Sequence, residues 1–189
     1  FLAGEGASYN VTGSQTDVGD SKNTFTYTLN EGTLAGNYDI EKVEGTLEVT
    51  KNTNVITITA DSSSKKYDGT ALTDDGYTYT QGILATGDVL IAVVEGTITN
   101  AGTADNVVTS YKVMRGAGED AVDVTSFYTF GDSVKGTLTV NKRTVVMTSA
   151  SDEKTYDGTP LTNDEITVTG DGFLAGEGAS YNVTGSQTD

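Results

Sequence analysis

The side chains able to do chemistry in this 189-residue sequence are almost all carboxylates: 27 Asp and Glu stand against 11 Lys and Arg, with neither His nor Cys. Without His the chain lacks the side chain that most often moves protons near neutral pH and ligates transition metals. Without Cys it has no disulfide framework and no Cys-zinc site. Two carboxylates can cleave a glycosidic bond when they flank a cleft at roughly 5–10 Å, but no insertion here is sized to build one. The expectation is a chain with no catalytic residues and no cofactor. The acidic groups Asp17 with Asp20, Asp74 with Asp75, and Glu119 with Asp120 offer hard oxygen ligands of the kind Ca²⁺ takes. None has EF-hand spacing, so they read as solvated charge before they read as a Ca²⁺ site.

One short motif occurs twice: Tyr67-Asp68-Gly69-Thr70 and Tyr156-Asp157-Gly158-Thr159. Asp-Gly is turn chemistry, because Asp accepts hydrogen bonds from the backbone ahead of it and Gly tolerates positive φ. Each Tyr is expected to pack its ring against the fold beside that turn, with carbohydrate stacking as the functional alternative. Lys65, Lys66 and Lys154 are candidates by position for an isopeptide bond to Asn. That bond needs a buried Lys, an Asn and a nearby acid, and spacing picks out no such triplet.

The elements that carry these residues are strands. "NTFTYTLN" alternates Phe25, Tyr27 and Leu29 with threonines, and "GTLEV", "NVITIT", "GYTYT", "GTLTV" and "EITVTG" share the period of two that a half-buried strand requires. "DVLIAVVEG" and "DNVVTSYKVM" are more continuously apolar and are expected to be central strands covered on both faces. Asp-Gly and Gly-Asp pairs at 68–69, 75–76, 87–88 and 157–158 supply turns. No segment has convincing helical periodicity, and the glycines of "FLAGEGAS" make it a loop or bent strand.

Repetition organises these strands. "FLAGEGASYNVTGSQTD" occupies residues 1–17 and again 173–189, an offset of 172 residues. A weaker repeat lies inside it: "KKYDGTALTDD" at 65–75 answers "KTYDGTPLTND" at 154–164, and "EGTLEVTK" at 44–51 answers "KGTLTVNK" at 135–142. Two divergent modules, A and B, therefore alternate. Residues 52–142 form a complete A module, 1–51 the C-terminal part of a B module, and 143–189 the N-terminal part of the next. The chain, which starts at Phe, reads as a window cut out of phase from an A-B-A-B array. In that array Phe25, Tyr27, Leu29, Leu47 and Val49 are expected to pack with Tyr156, Ile166 and Val168 of the preceding repeat, completing B within one polypeptide; the alternative is that separate chains complete each other's sheets. The fold class expected is all-β: small antiparallel, sandwich-like modules stacked end to end. Only Thr50 to Thr53 and Asn141 to Arg143 separate successive strands at the boundaries, too short and too poor in Gly to act as flexible coil.

A net charge of −16 repels phosphate, which argues against nucleic acid and anionic membrane surfaces as partners. No apolar run approaches the length of a membrane span, so direct insertion is not expected.

The spacing K-x-YDG-T-x-LT (Lys65 to Thr73, Lys154 to Thr162), together with "TDVGDSKNTFTYTL" and "NYDIEKVEGTLEVTK", resembles the YDG and MBG-type tandem repeat domains of bacterial cell-surface adhesins and stalk proteins. That resemblance implies an extracellular, all-β, non-enzymatic repeat on the bacterial surface. Its neighbours would be repeats of the same chain. Module A departs from the pattern in "SFYTFGDSVKGTLTV" and "NAGTADNVVTSYKVM". Three roles remain open: a stiff spacer holding an adhesive tip away from the cell, an adhesive module binding host glycan or protein, and a fibre whose copies pack laterally.

Overall fold

The protein is described from a computed structural model covering residues 1–188. It is all-β, 44% strand and 5% helix, the helix being three short 3₁₀ turns. In chain order the strands are β1 (Ala7–Val11), β2 (Gly19–Asn23), β3 (Phe25–Leu29), β4 (Gly45–Val49), β5 (Asn52–Ile56), β6 (Ile58–Ala60), β7 (Ser63–Lys66) and β8 (Tyr77–Tyr79). They continue as β9 (Asp88–Glu95), β10 (Gly102–Arg115), β11 (Val122–Asp123), β12 (Tyr128–Phe130), β13 (Gly136–Asn141), β14 (Val145–Ser149) and β15 (Ile166–Gly170). The Thr-alternating segments all fall on strands, as their period of two requires.

Backbone proximity divides the chain into two compact units. The first comprises Phe1–Ile56, Thr80–Ile91 and Lys112–Gly131. Within it β1 pairs antiparallel with β3, β2 with β4, and β12 lies parallel to β5. Ile56, Leu90, Val113, Val124 and Tyr128 form its buried core. The second unit comprises Thr57–Tyr79, Ala92–Tyr111 and the chain from Asp132 onward. There β6 pairs with β8, the start of β10 with β13, and β14 with β15, all antiparallel, while β13 lies parallel to β7. Ile58, Ala60, Val94, Leu138 and Val140 are buried. Burying an aliphatic side chain of this size contributes about 1.5–3 kcal/mol. Every buried apolar side chain among the described residues thus lies between Ile56 and Val140.

Two features depart from the sequence expectation. The ladders β5–β12 and β7–β13 are parallel, so the 52–142 segment is not purely antiparallel; alternation of side chains is the same in both arrangements and does not distinguish them. And neither expected central strand is covered on both faces: in β10 only Asn106 and Val113 are buried and residues 109–112 are exposed, and in β9 Asp88, Leu90 and Val94 are buried while Val89, Ile91 and Val93 are exposed. The outward positions of β9 are valine and isoleucine rather than threonine, which hides a two-sided strand from a polarity pattern.

Several pairings recur at fixed offsets. Gly102↔Val140 through Asn106↔Gly136 matches Gly19↔Val49 through Asn23↔Gly45. The bridge Leu72↔Ile98 recurs 89 residues on as Leu161↔Gln187, each closed by two backbone hydrogen bonds. Likewise Ile58↔Tyr79 and Ala60↔Tyr77 match Met147↔Val168 and Ser149↔Ile166.

Candidate functional site: the YDGT turns and the clasped boundaries

The two YDGT motifs are turns of one design. Asp68 Oδ1 accepts the Thr70 backbone N–H at 2.9 Å and its hydroxyl at 2.8 Å, and Gly69 sits at φ +79°. Asp157 Oδ1 accepts the same pair from Thr159 at 2.9 and 2.7 Å, with Gly158 at φ +78°. Positive φ is the reason for Gly at both sites. A lysine three residues before each Asp locks the turn. Lys65 Nζ donates to Asp68 Oδ1 at 2.8 Å, Thr70 O at 2.8 Å and Thr70 Oγ1 at 2.7 Å; Lys154 Nζ donates to Asp157 Oδ1 at 2.8 Å and Thr159 Oγ1 at 2.6 Å. Each ammonium holds its carboxylate below the usual Asp range, with the Thr donors adding to the effect. These lysines therefore serve the turn, a role the recurring Lys-x-x-Asp-x-Thr spacing carries in the sequence.

The tyrosines diverge. Tyr67 is half-buried and its hydroxyl donates to Glu177 Oε1 at 2.9 Å, which raises the phenol's pKa. Tyr156 is 79% exposed, contrary to the expectation that both rings pack.

Polar clasps gather at both short boundaries. After Lys142, Arg143 donates from Nε to Gly172 O at 2.8 Å, from Nη1 to Tyr67 O at 3.3 Å and from Nη2 to Asp171 O. Asp171 in turn pairs with Lys66 Nζ at 2.6 Å and accepts the Thr144 N–H at 2.8 Å; Lys66 pulls its carboxyl down. The clasp rims an open groove of about 300 Å³ lined by Tyr67, Asn100, Arg143, Val145, Phe173 and Glu177. A lone exposed ion pair is worth little. Here one guanidinium, one ammonium and one phenol tie the 65–67 strand end to the 171–177 loop.

In the first unit Arg115 does the corresponding work. Its Nη1 meets Asp17 Oδ1 at 2.5 Å, while Nε and Nη2 fork onto Asp88 Oδ1 and Oδ2 at 2.7 and 3.2 Å. The Asp88 side chain has no solvent exposure. Burial alone would favour its protonation, yet Arg115 and the Tyr128 hydroxyl, donating at 2.5 Å, hold it below the usual Asp range. Burial, and then the bond to Asp88, push the Tyr128 phenol up. Tyr128 Oη also accepts the Ala85 N–H at 2.9 Å. Tyr38 repeats this pattern, donating to the Glu5 carboxylate and accepting the Leu2 N–H at 3.1 Å. Both tyrosines follow a 3₁₀ turn and precede a Gly-Thr-Leu strand, a recurrence outside the YDGT motif that marks them in the sequence.

Of the acidic groups considered for Ca²⁺, Asp17 pairs with Arg115 and Asp74 accepts the Gly76 N–H at 2.9 Å. Among the described residues no group of three or more His, Cys, Asp or Glu side chains is arranged to hold a metal. A comparison with known proteins finds no matching family model, no matching curated protein and no matching solved structure.

Proposed function

We propose that the chain is a non-catalytic repeat of a long extracellular bacterial surface protein of the YDG/MBG type, acting as a stiff spacer. The observation that carries this reading is the pair of clasped boundaries. Only Thr50 and Lys51 separate β4 from β5, and only Lys142 to Thr144 separate β13 from β14. Such linkers cannot act as coil, and side chains from both sides grip across them, Asp17 with Arg115 at one and Lys66, Tyr67 and Arg143 with Asp171 to Glu177 at the other. The recurring ladder registers and the 172-residue sequence repeat support alternating A and B modules, with 143–172 followed by 1–51 of the next repeat making one B module. A chain so built turns sequence length into reach.

Small-angle scattering of a four-module A-B-A-B protein tests this. The expected result is a rod-like distance distribution that broadens when Arg143, Lys66 and Arg115 are all replaced by Ser. A compact or broadly distributed particle before substitution would overturn the spacer reading.

A further inference from the structure

The segment "FLAGEG" occurs at 1–6 and again at 173–178, and its two copies are gripped by different tyrosines. Both copies close the same turn, Glu5 N–H on Leu2 O and Glu177 N–H on Leu174 O. In the first unit Glu5 meets a tyrosine of the B half. Tyr38 donates to Glu5 Oε2, accepts the Leu2 N–H at 3.1 Å and sets its ring 4.9 Å from that of Phe1. In the second unit Glu177 meets a tyrosine of module A, Tyr67, which donates to Oε1 at 2.9 Å. Leu174 also faces that module, its Cδ1 3.3 Å from where a Cβ on Gly69 would stand. The two phenols thus use different oxygens of the same glutamate of the repeat.

Module A shows one carboxylate serving both kinds of partner at once. Leu2 and Glu5 stand to Tyr38 as Ala85 and Asp88 stand to Tyr128. Asp88 Oδ2 accepts the Tyr128 hydroxyl at 2.5 Å, a bond within the module. Asp88 Oδ1 accepts Arg115 Nε at 2.7 Å, and the same guanidinium reaches Asp17 across the B-to-A boundary. One oxygen therefore holds the module's own tyrosine and the other holds a group engaged with the neighbour.

We propose that in the continuous array this glutamate is a shared node: Oε1 accepts the Tyr67 hydroxyl of the preceding A module while Oε2 accepts the hydroxyl of the B-module tyrosine equivalent to Tyr38. One carboxylate then ties A to B, as Asp88 with Arg115 ties B to A. The inference rests on the reading above that A and B alternate within one chain. Hydrogen bonds to an ionised carboxylate are the stronger kind. Either bond alone leaves the carboxylate free to turn about its last torsion, whereas a phenol on each oxygen fixes its plane. Each tyrosine therefore orders the glutamate for the other, and order passes from one module to the next as the nearest-neighbour coupling of a repeat array requires. Glu177 is in this sense a positioning residue for both modules.

Amide exchange in the 189-residue chain, lengthened at its end by a second copy of residues 18–51, reads the node from both sides. The reporters are the Tyr67 N–H, bonded to Asn141 O at 2.8 Å, and the appended equivalent of the Tyr38 N–H, which bonds Ala35 O at 3.2 Å. Replacing the appended tyrosine by Phe should speed exchange at Tyr67 about threefold. Tyr67→Phe should speed exchange at the appended tyrosine by the same factor, because coupling is reciprocal. Both cross-boundary effects should vanish in a Glu177→Ala chain. Tyr38→Phe in the first copy, where the carboxylate is that of Glu5, should leave Tyr67 unchanged. Phe keeps the ring, and unchanged exchange at the Leu138 and Val140 amides shows that each variant stays folded. Effects confined to the substituted side, or effects that survive Glu177→Ala, would overturn the inference. If scattering from the four-module protein is nonetheless a rod, the spacer reading stands without it; if that protein is a coil, the spacer reading falls as well.

Discussion

Residues 1–17 and 173–189 have the same sequence, and the structure treats them differently. Both make the same turn: Glu5 N–H bonds Leu2 O at 3.0 Å and Glu177 N–H bonds Leu174 O at 2.9 Å, with Gly4 and Gly176 at φ +90° and +88°. The next residues diverge. Ala7–Val11 is β1, laddered to β3 from Ala7↔Leu29 to Val11↔Phe25, whereas the identical 179–183 are in no strand. A turn is closed by atoms three residues apart, and a strand needs a second strand to accept its hydrogen bonds. Phe25–Leu29 takes that place beside the first copy, and among the described residues no strand pairs with 179–183. Ile58 and Met147 teach the same lesson for packing, equal in ladder position and opposite in burial.

The sharpest way to break that contrast is truncation in the core. Ile58→Ala should cost about 2–5 kcal/mol in urea unfolding, and Met147→Ala should stay within about 0.5 kcal/mol; comparable losses would mean that Met147 is buried in solution. Next in size, Tyr128→Phe strips one donor from the covered Asp88 carboxylate and one acceptor from the Ala85 N–H, a loss of about 1.5–3 kcal/mol. The less buried equivalent Tyr38→Phe should change stability far less.

Protonation probes the same cluster. Asp88 is held below the usual carboxyl range by Arg115 and then by Tyr128, so in the folded state it binds its proton less readily than when unfolded. Its stabilisation is present above the unfolded value, about pH 3.9, and is lost as pH falls through the lower folded value. Thermal melts should therefore decline on acidification, and Asp88→Asn should flatten that decline. Smaller still is a purely local exchange effect. Tyr27→Pro interrupts β3, and amide exchange at residues 8–11 should rise to the rate seen at 180–183. Smallest of all, Lys65→Met and Lys154→Met should speed exchange of the Thr70 and Thr159 amides alone and by equal factors. The YDGT turn is as local as the turn at Ala3-Gly4, so inequality would tie one of the two to its surroundings.

What is legible in the sequence divides along the same line. Turns are, since Asp68-Gly69 and Asp157-Gly158 carry their geometry in two residues. So are strands with threonine outward, Phe25–Leu29, Tyr77–Tyr79 and Ile166–Gly170, because one exposed face writes a period of two. Strand direction is not: nothing within Leu138–Val140 or Ser63–Lys65 says whether they run together or opposed. Nor is the Arg115–Asp88–Tyr128 cluster, whose members are 27 and 13 residues apart and meet only once β9, β10 and β12 are in place. Tyr156 departs from its expected packing for a related reason, since a ring packs only if something stands beside it.

The parallel pairing of β7 with β13 has a consequence under load. Tension drawn along the chain enters β7 through its leading end, by way of β5 and β6, and leaves β13 through its trailing end. Two parallel strands pulled in opposite directions from opposite ends slide along each other, so the hydrogen bonds between Ser63–Lys66 and Leu138–Asn141 share the force and must fail together. The hairpin-like ladder β14–β15, pulled from its open end, would instead unzip bond by bond. Stretched, 52–142 should hold to a higher force than the β14–β15 ladder, and its first resistance should lie in those four pairs of residues.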